Sequence, residues 1–182
     1  PANDGAMTRR EMPAGLLAER PHLFSDASVP VAAGDLALMA RFAAAMEAVV
    51  RLPEWRRHAL AWAPEIARFE PQGKGVFFGY DFHLAPGGPK LIEINTNAGG
   101  GLLCAWRFGP PAALDDFLEM FQAERGGPLA AVAIVDDSPA GQYLYPEFLL
   151  LQDLFERRGI RAVICDPRDL RSEEHTSELQ SH

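Results

Sequence analysis

An α/β protein is predicted by three features of the sequence: helical periodicity in the first half, a turn-rich pair of short strands near the middle, and a strand–helix–strand pattern towards the end. Residues 1–31 carry proline, glycine and mixed charge with little periodicity, and read as an irregular arm with Met7 or Met12 as starts. From Gly34 to Leu52 the apolar set Leu36, Met39, Phe42, Ala43, Met46 and Val50 recurs at three- and four-residue steps, the spacing of one helix face, with Asp35 near the start. A second helical segment, about Pro53 to Phe69, sets Trp55, Leu60, Trp62 and Ile66 among charged residues. Pro64 is expected to bend or split it, because proline lacks the N–H and crowds the preceding turn.

Gly75–Leu84 and Lys90–Thr96 are short, aromatic and β-branched, and Ala85-Pro86-Gly87-Gly88-Pro89 between them is turn chemistry, so a β-hairpin is predicted. Ala98–Gly101 breaks the second strand, and Leu102–Arg107 starts a short helix. Pro111–Arg125 is a longer helix with Leu114, Phe117, Leu118 and Phe121 inward. Gly126-Gly127-Pro128 ends that helix and marks the boundary to a second unit. Residues 129–136, LAAVAIVD, form an almost purely apolar run expected of a buried parallel strand. A helix follows, with Pro146 and Glu147 in its first turn, Phe148, Leu151 and Phe155 as its stripe, Arg157 and Arg158 in its last turn and Gly159 after it. Arg161–Asp166 is a second buried strand and completes a βαβ unit, right-handed by rule.

The predicted organisation is therefore an arm at 1–31, a portion at 32–127, the start of a second domain at 128–170 and a distinct tail at 171–182. With 182 residues, 48% of them apolar, the chain has material for one sizeable core or for one domain plus part of another. A net charge of -8 argues against nucleic-acid or anionic-membrane surfaces, which require a basic face, and favours small-molecule partners. Cys104 and Cys165 alone build neither a disulfide framework nor a zinc cluster, which fits a reducing cytoplasm. No apolar run approaches the roughly 18 residues of a membrane span, and no secretory signal pattern is present.

The tail, RSEEHTSELQSH, shares neither composition nor periodicity with what precedes it. It resembles, codon by codon over Arg171–Ser181, the translated reading of a common short-read sequencing adapter, and is expected to pack against nothing. Removing it takes away one arginine and three glutamates and leaves a net charge of -6.

Side chains alternate along a strand, so Glu93, Asn95 and Asn97 share one face of the hairpin and Ile92 and Ile94 are expected to be buried on the other. A hairpin centred near Gly87 sets Asp81 opposite Glu93 and Gly79 opposite Asn95. Facing carboxylates repel unless a cation lies between them, and two carboxylates with an amide oxygen suit magnesium. On spacing alone the same residues equally serve as the solvent side of a two-layer hairpin. Gly99, Gly100 and Gly101 equally form a loose turn or a helix start open to an anionic ligand.

The segment KLIEINTNAGGGLL at 90–103 is similar to the eukaryotic-type glutathione synthetase family, whose strand reads IEINT followed closely by glycines and leucine; glutathionylspermidine synthase-like proteins belong to the same circularly permuted ATP-grasp kind. The resemblance spans roughly 75–170 and is specific only at IEINTN. It implies that the helices and hairpin belong to an incomplete ATP-grasp domain and that the βαβ pattern begins a Rossmann-like substrate domain. It implies ATP and Mg2+ as cofactors, Glu93 and Asn95 as metal ligands with Asp81 beside them, and Asn97 and Gly99–Gly101 in a pocket for an amino-acid or peptide substrate. Asp136, Asp137 and Gln142 lie at the carboxyl end of the first parallel strand, where open α/β sheets bind ligands, and Asp137 and Gln142 join the substrate candidates. Tyr143, Tyr145 and Glu147 follow them. The family's arginine two residues before the hairpin aspartate is Gly79 here.

The activity so implied is ATP-dependent joining of a carboxylate to an amine acceptor through an acyl-phosphate. The family's phosphate-gripping lysines and glycine-rich lid come from its later half. Lys74 and Lys90, the only lysines here, match neither, so this stretch is expected to be an inactive front portion of such a ligase. A non-catalytic ATP-grasp-like nucleotide-binding protein is the alternative, favoured by Gly79. An independent Rossmann domain ranks last, since Asp136–Gly141 lacks GxGxxG. His58 reads as an ordinary helix residue, His83 has no family role, and Cys104, lacking an evident base, reads as core.

Overall fold

A computed structural model describes residues 12, 14–70, 73, 75, 77–96, 98–110 and 112–170; the adapter-like tail and Asn97 lie outside the described residues. In chain order the elements are α1 (Ala14–Ala18), α2 (Ala33–Val50), α3 (Pro53–Trp62), β1 (Gly79–Ala85), β2 (Gly88–Asn95), α4 (Gly101–Phe108), α5 (Ala113–Arg125), β3 (Ala131–Val135), α6 (Tyr145–Glu156) and β4 (Arg161–Cys165), with 3₁₀ turns at Glu65–Arg68, Pro139–Gly141 and Pro167–Asp169. The chain is thus α/β, with an antiparallel pair β1–β2 and a separate parallel pair β3–β4. It divides into two compact units: Pro1–Phe24 with Gly99–His182, and Ser25–Ala98.

In the unit Ser25–Ala98, α2 lies against the hairpin. Asp35, Met39, Ala43 and Met46 are its half-buried positions, spaced as one helix face, whereas Leu36, Phe42 and Val50 of the expected stripe are exposed. A two-stranded hairpin is too narrow to cover a full helical stripe. Phe42 still meets Phe82 edge-on, ring centres 6.1 Å apart. Pro53 starts α3 at its first turn, where its missing N–H costs nothing. Pro64 does split the second helical segment: α3 stops at Trp62, Ala63 and Pro64 are extended, and a 3₁₀ turn follows.

The hairpin turns at Pro86-Gly87, and Gly88 takes φ 99°, a left-handed value that glycine adopts without strain. Asp81 pairs with Glu93 and Gly79 with Asn95. The register shifts between Asp81 and Phe82, which pairs with Leu91, leaving Ile92 as the extra residue of a bulge. That bulge overturns the expected burial of Ile92, which is 66% exposed, while Ile94 is half-buried. An inserted residue interrupts the two-residue alternation, so Ile92 and Glu93 are both exposed.

In the other unit, one cluster gathers Met12, Leu102, Leu103, Leu114, Leu150 and Leu154, with Leu16, Leu17, Leu23 and Phe24 packed on it. The arm is therefore not wholly irregular: its residues 12–24 include α1 and contribute to a core. Five helical residues are too few to display a period. A second cluster joins Leu118 of α5, Phe155 of α6, Ile160 and Ala162 of β4. Phe155 is fully buried, its ring edge-on to Phe121 with centres 5.2 Å apart. Because α4 and α5 share these clusters with α6, they group with the βαβ segment, and the compact units part at Ala98/Gly99 rather than at Gly126–Pro128.

β3 and β4 pair in parallel from Ala131↔Arg161 to Val135↔Cys165, joined through α6. Neither is buried on both sides as the apolar runs suggested. α6 packs on one face, and Ala131, Ala133, Val135, Arg161 and Val163 on the other are exposed. α6 itself buries Pro146, Glu147, Leu150, Leu154 and Phe155, a stripe rotated by one position from Phe148 and Leu151. Gly126 and Gly159 end their helices in left-handed conformation. Cys104 lies exposed on α4, so it is not a core residue.

Candidate functional site

The bulged hairpin sets three oxygen-bearing side chains together. Asp81 faces Glu93 across the ladder, and Asn95 Nδ2 donates to Glu93 Oε1 at 3.0 Å and to Asp81 Oδ2 at 3.5 Å. All three residues are exposed. An amide N–H group thus stands between two carboxylates, the place a small cation would take. Turning the amide about its last bond would present its oxygen instead. Two carboxylates and an amide oxygen match magnesium, which leaves its other positions to water or phosphate. Among the described residues no group of three or more His, Cys, Asp or Glu side chains forms a metal cluster, so any metal here relies on Asn95. His83 is exposed in β1 and His58 on α3.

The glycine turn belongs to the other unit and is tightly specified there. Gly100 adopts φ 88° immediately before α4. A Cβ on Gly99 would lie 2.5 Å from Leu144 Cδ1 and 3.4 Å from Glu147 Oε2. Glu147, 6% exposed, accepts hydrogen bonds from Gly100 N at 2.6 Å and Leu102 N at 2.8 Å. A buried carboxylate of α6 therefore occupies the amino end of α4, where free N–H groups and the helix dipole favour negative charge. The sequence offered Glu147 as a first-turn acid of its own helix and as one of the residues following Asp137 and Gln142. Nothing local pointed to an acceptor role 45 residues back along the chain.

The loop after β3 carries the remaining substrate candidates, and the structure brings them together: Gln142 Nε2 donates to the Asp137 carbonyl at 2.5 Å. Ser138 between them takes φ 45°, the one left-handed non-glycine among the described residues, and donates its N–H to Asp166 Oδ2 at 2.8 Å. Asp166 also accepts from Arg168 N at 2.9 Å and Arg168 Nε at 2.7 Å, and Arg168 Nη2 reaches Asp137 Oδ1 at 3.3 Å. The loop is also held by Arg20, 9% exposed, which donates to the carbonyls of Gln142 at 3.2 Å and Tyr143 at 3.1 Å. Its fork also contacts Ala140 O at 3.5 Å and Leu16 O at 3.2 Å. Arg20, Asp166 and Arg168 are thus the residues that sequence reasoning passed over as site components, and Glu147 was named there without its acceptor role. Each acts at least in part through partners remote in sequence: Arg20 with Gln142 and Tyr143, Glu147 with Gly100 and Leu102, Asp166 with Ser138 and Arg168 with Asp137.

No family model, curated protein or solved structure matches the chain. No helix among the described residues is long and apolar enough to cross a membrane.

Proposed function

We propose that this chain carries the magnesium-binding strand and part of the substrate site of an ATP-dependent carboxylate–amine ligase of the glutathione synthetase-like, circularly permuted ATP-grasp kind. The observation that carries the reading is the convergence on one patch of the hairpin of Glu93 and Asn95, from the IEINTN segment, with Asp81 of the facing strand. Glu93 and Asp81 would supply charge to a magnesium ion and Asn95 its amide oxygen. The ion, when bound, neutralises triphosphate charge during phosphoryl transfer. The overall chemistry passes the γ-phosphoryl of ATP to a substrate carboxylate. An amine then attacks the acyl-phosphate carbon, forming the amide and releasing phosphate. In this reading the βαβ segment is the start of a Rossmann-like substrate domain, with Asp137 and Gln142 at its ligand-binding end. Asn97 and Gly99–Gly101 are its further substrate candidates.

The test is cation binding. Mn2+ added to the chain should show a bound electron-paramagnetic signal that Mg2+ displaces, and Glu93→Gln should weaken that binding by about tenfold or more through loss of one ligand charge. Equal binding by wild type and Glu93→Gln would remove the metal assignment.

One observation favours the second reading, a nucleotide-binding protein without turnover. A Cβ at Gly79 would lie 3.0 Å from the Ala98 Cβ and 3.6 Å from the Asn95 Cβ, so an arginine at this place would require Ala98 to shift. Retained nucleotide binding with no ADP release in the presence of γ-glutamyl peptides and amines would select that reading.

A further inference from the structure

We propose that Glu147 is the positioning residue of the substrate site, holding the Gly99–Gly101 turn and the start of α6 in one frame so that the loop bearing Asp137 and Gln142 meets an amino-acid or peptide ligand in a fixed geometry. The inference rests on the substrate reading above and adds a residue which that reading does not contain.

Three observations converge on it. First, Glu147 is the only acidic side chain among the described residues that is buried, and both of its oxygens are used. Oε2 accepts from Gly100 N and Oε1 from Leu102 N. A charged acceptor on two backbone donors, shielded from water, is a strong and directional tie. Second, the fit around it leaves no slack. Leu144, three residues before Glu147 and two after Gln142, fills the space that any side chain at Gly99 would need. The glycine turn and the substrate loop therefore meet at Leu144 and Glu147, and displacement of one displaces the other. Third, Arg20 donates to the Gln142 and Tyr143 carbonyls, so the 142–147 segment is tied at its start by Arg20 and at its end by Glu147.

The arrangement also changes what the glycine turn offers a ligand. Two amides at the start of α4, those of Gly100 and Leu102, are already bonded to a carboxylate that also offsets the helix's positive end. A phosphate or carboxylate of the ligand would have to compete with Glu147 there. The turn contributes its fixed shape, and the polar contacts come from the loop residues.

The experiment compares wild type with Glu147→Gln and Gly99→Ala, using γ-glutamylglycine as the probe ligand. Glu147→Gln keeps one carbonyl oxygen but turns an NH2 towards a backbone N–H. Amide exchange at Gly100 and Leu102 should quicken by about tenfold or more, and probe affinity should fall about tenfold. Gly99→Ala leaves Glu147 intact and pushes Leu144 away, and it should lower affinity similarly. Adding Leu144→Ala to Gly99→Ala removes the clashing group and should restore binding, a rescue that loss of stability alone does not predict. Unchanged exchange in Glu147→Gln would show that the tie is not made. Faster exchange with unchanged affinity would reduce Glu147 to a helix cap and overturn its positioning role. Wild-type chain that does not bind the probe would overturn it as well, while Mn2+ binding at Glu93 judges the ligase reading separately.

Discussion

At the scale of single residues, Asp166 shows how a short polar cluster acquires a pH signature. The side-chain hydrogen bond from Arg168, followed by the backbone N–H groups of Arg168 and Ser138, holds its carboxyl well below the usual carboxylate range. A carboxyl depressed in the folded state contributes stability that is fully present above its unfolded pKa, about 3.9, and is lost only as pH falls through the lower folded value. The tie between Ser138 and the turn after β4 should therefore survive at pH 4, where an ordinary aspartate is half protonated. An NMR titration of the Asp166 carboxyl carbon and the Ser138 amide should give a midpoint below those of exposed aspartates, and a midpoint near 4 would contradict the described bonds. The sequence presented Asp166 only as a strand end. Its partners are 28 residues back along the chain at Ser138 and two residues ahead at Arg168, and the first of these pairings exists only once β3 and β4 lie side by side.

At the scale of elements, the hairpin was the most legible part of the chain. Centring the hairpin on Gly87 placed Asp81 opposite Glu93 and Gly79 opposite Asn95, the pairing observed, although the turn lies at Pro86-Gly87 and it is the bulge at Ile92 that supplies the one-residue offset. The bulge was not legible, since no residue type marks it and its only trace is a register shift. Its consequence is measurable. Because Ile92 is mostly exposed, Ile92→Thr should change stability by no more than about 0.5 kcal/mol, the range of ordinary surface substitutions. A loss well beyond that in thermal or denaturant unfolding would mean that Ile92 is covered as the simple alternation predicts. α2 teaches the same lesson from the helical side. Periodicity located the helix, but the face in contact runs through Asp35, Met39, Ala43 and Met46, because the width of the neighbour decides how much of an apolar stripe is covered.

At the scale of the whole molecule, the two units differ in what stabilises them. The unit containing α4, α5, α6 and the parallel strands holds both clusters of buried side chains. Among the described residues of Ser25–Ala98 none is buried, although Trp55, Trp62, Ile66 and Phe69 are large and apolar. Local opening free energy follows buried apolar contact, so amides in α5, α6 and β4 should exchange about tenfold or more slowly than those in α2 and α3. Native-state hydrogen exchange resolved by segment measures this directly, and equal protection in both units would show that residues 25–98 have stabilising contacts of their own.

What the sequence determined by itself were features governed by near neighbours along the chain. Pro64 stopped a helix, Pro146 and Gly159 framed another, Pro86-Gly87 turned a hairpin, and a single period separated helices from strands. Each follows from backbone sterics or local hydrogen bonding within a few residues. The tertiary structure decided which charged groups are buried and with what. Glu147, a first-turn acid of α6, also caps α4, Arg20 ties the arm to the loop after β3, and Cys104 and Ile92 are exposed. Burial and long-range acceptors depend on which surfaces meet after the chain folds back, and no local spacing encodes that meeting.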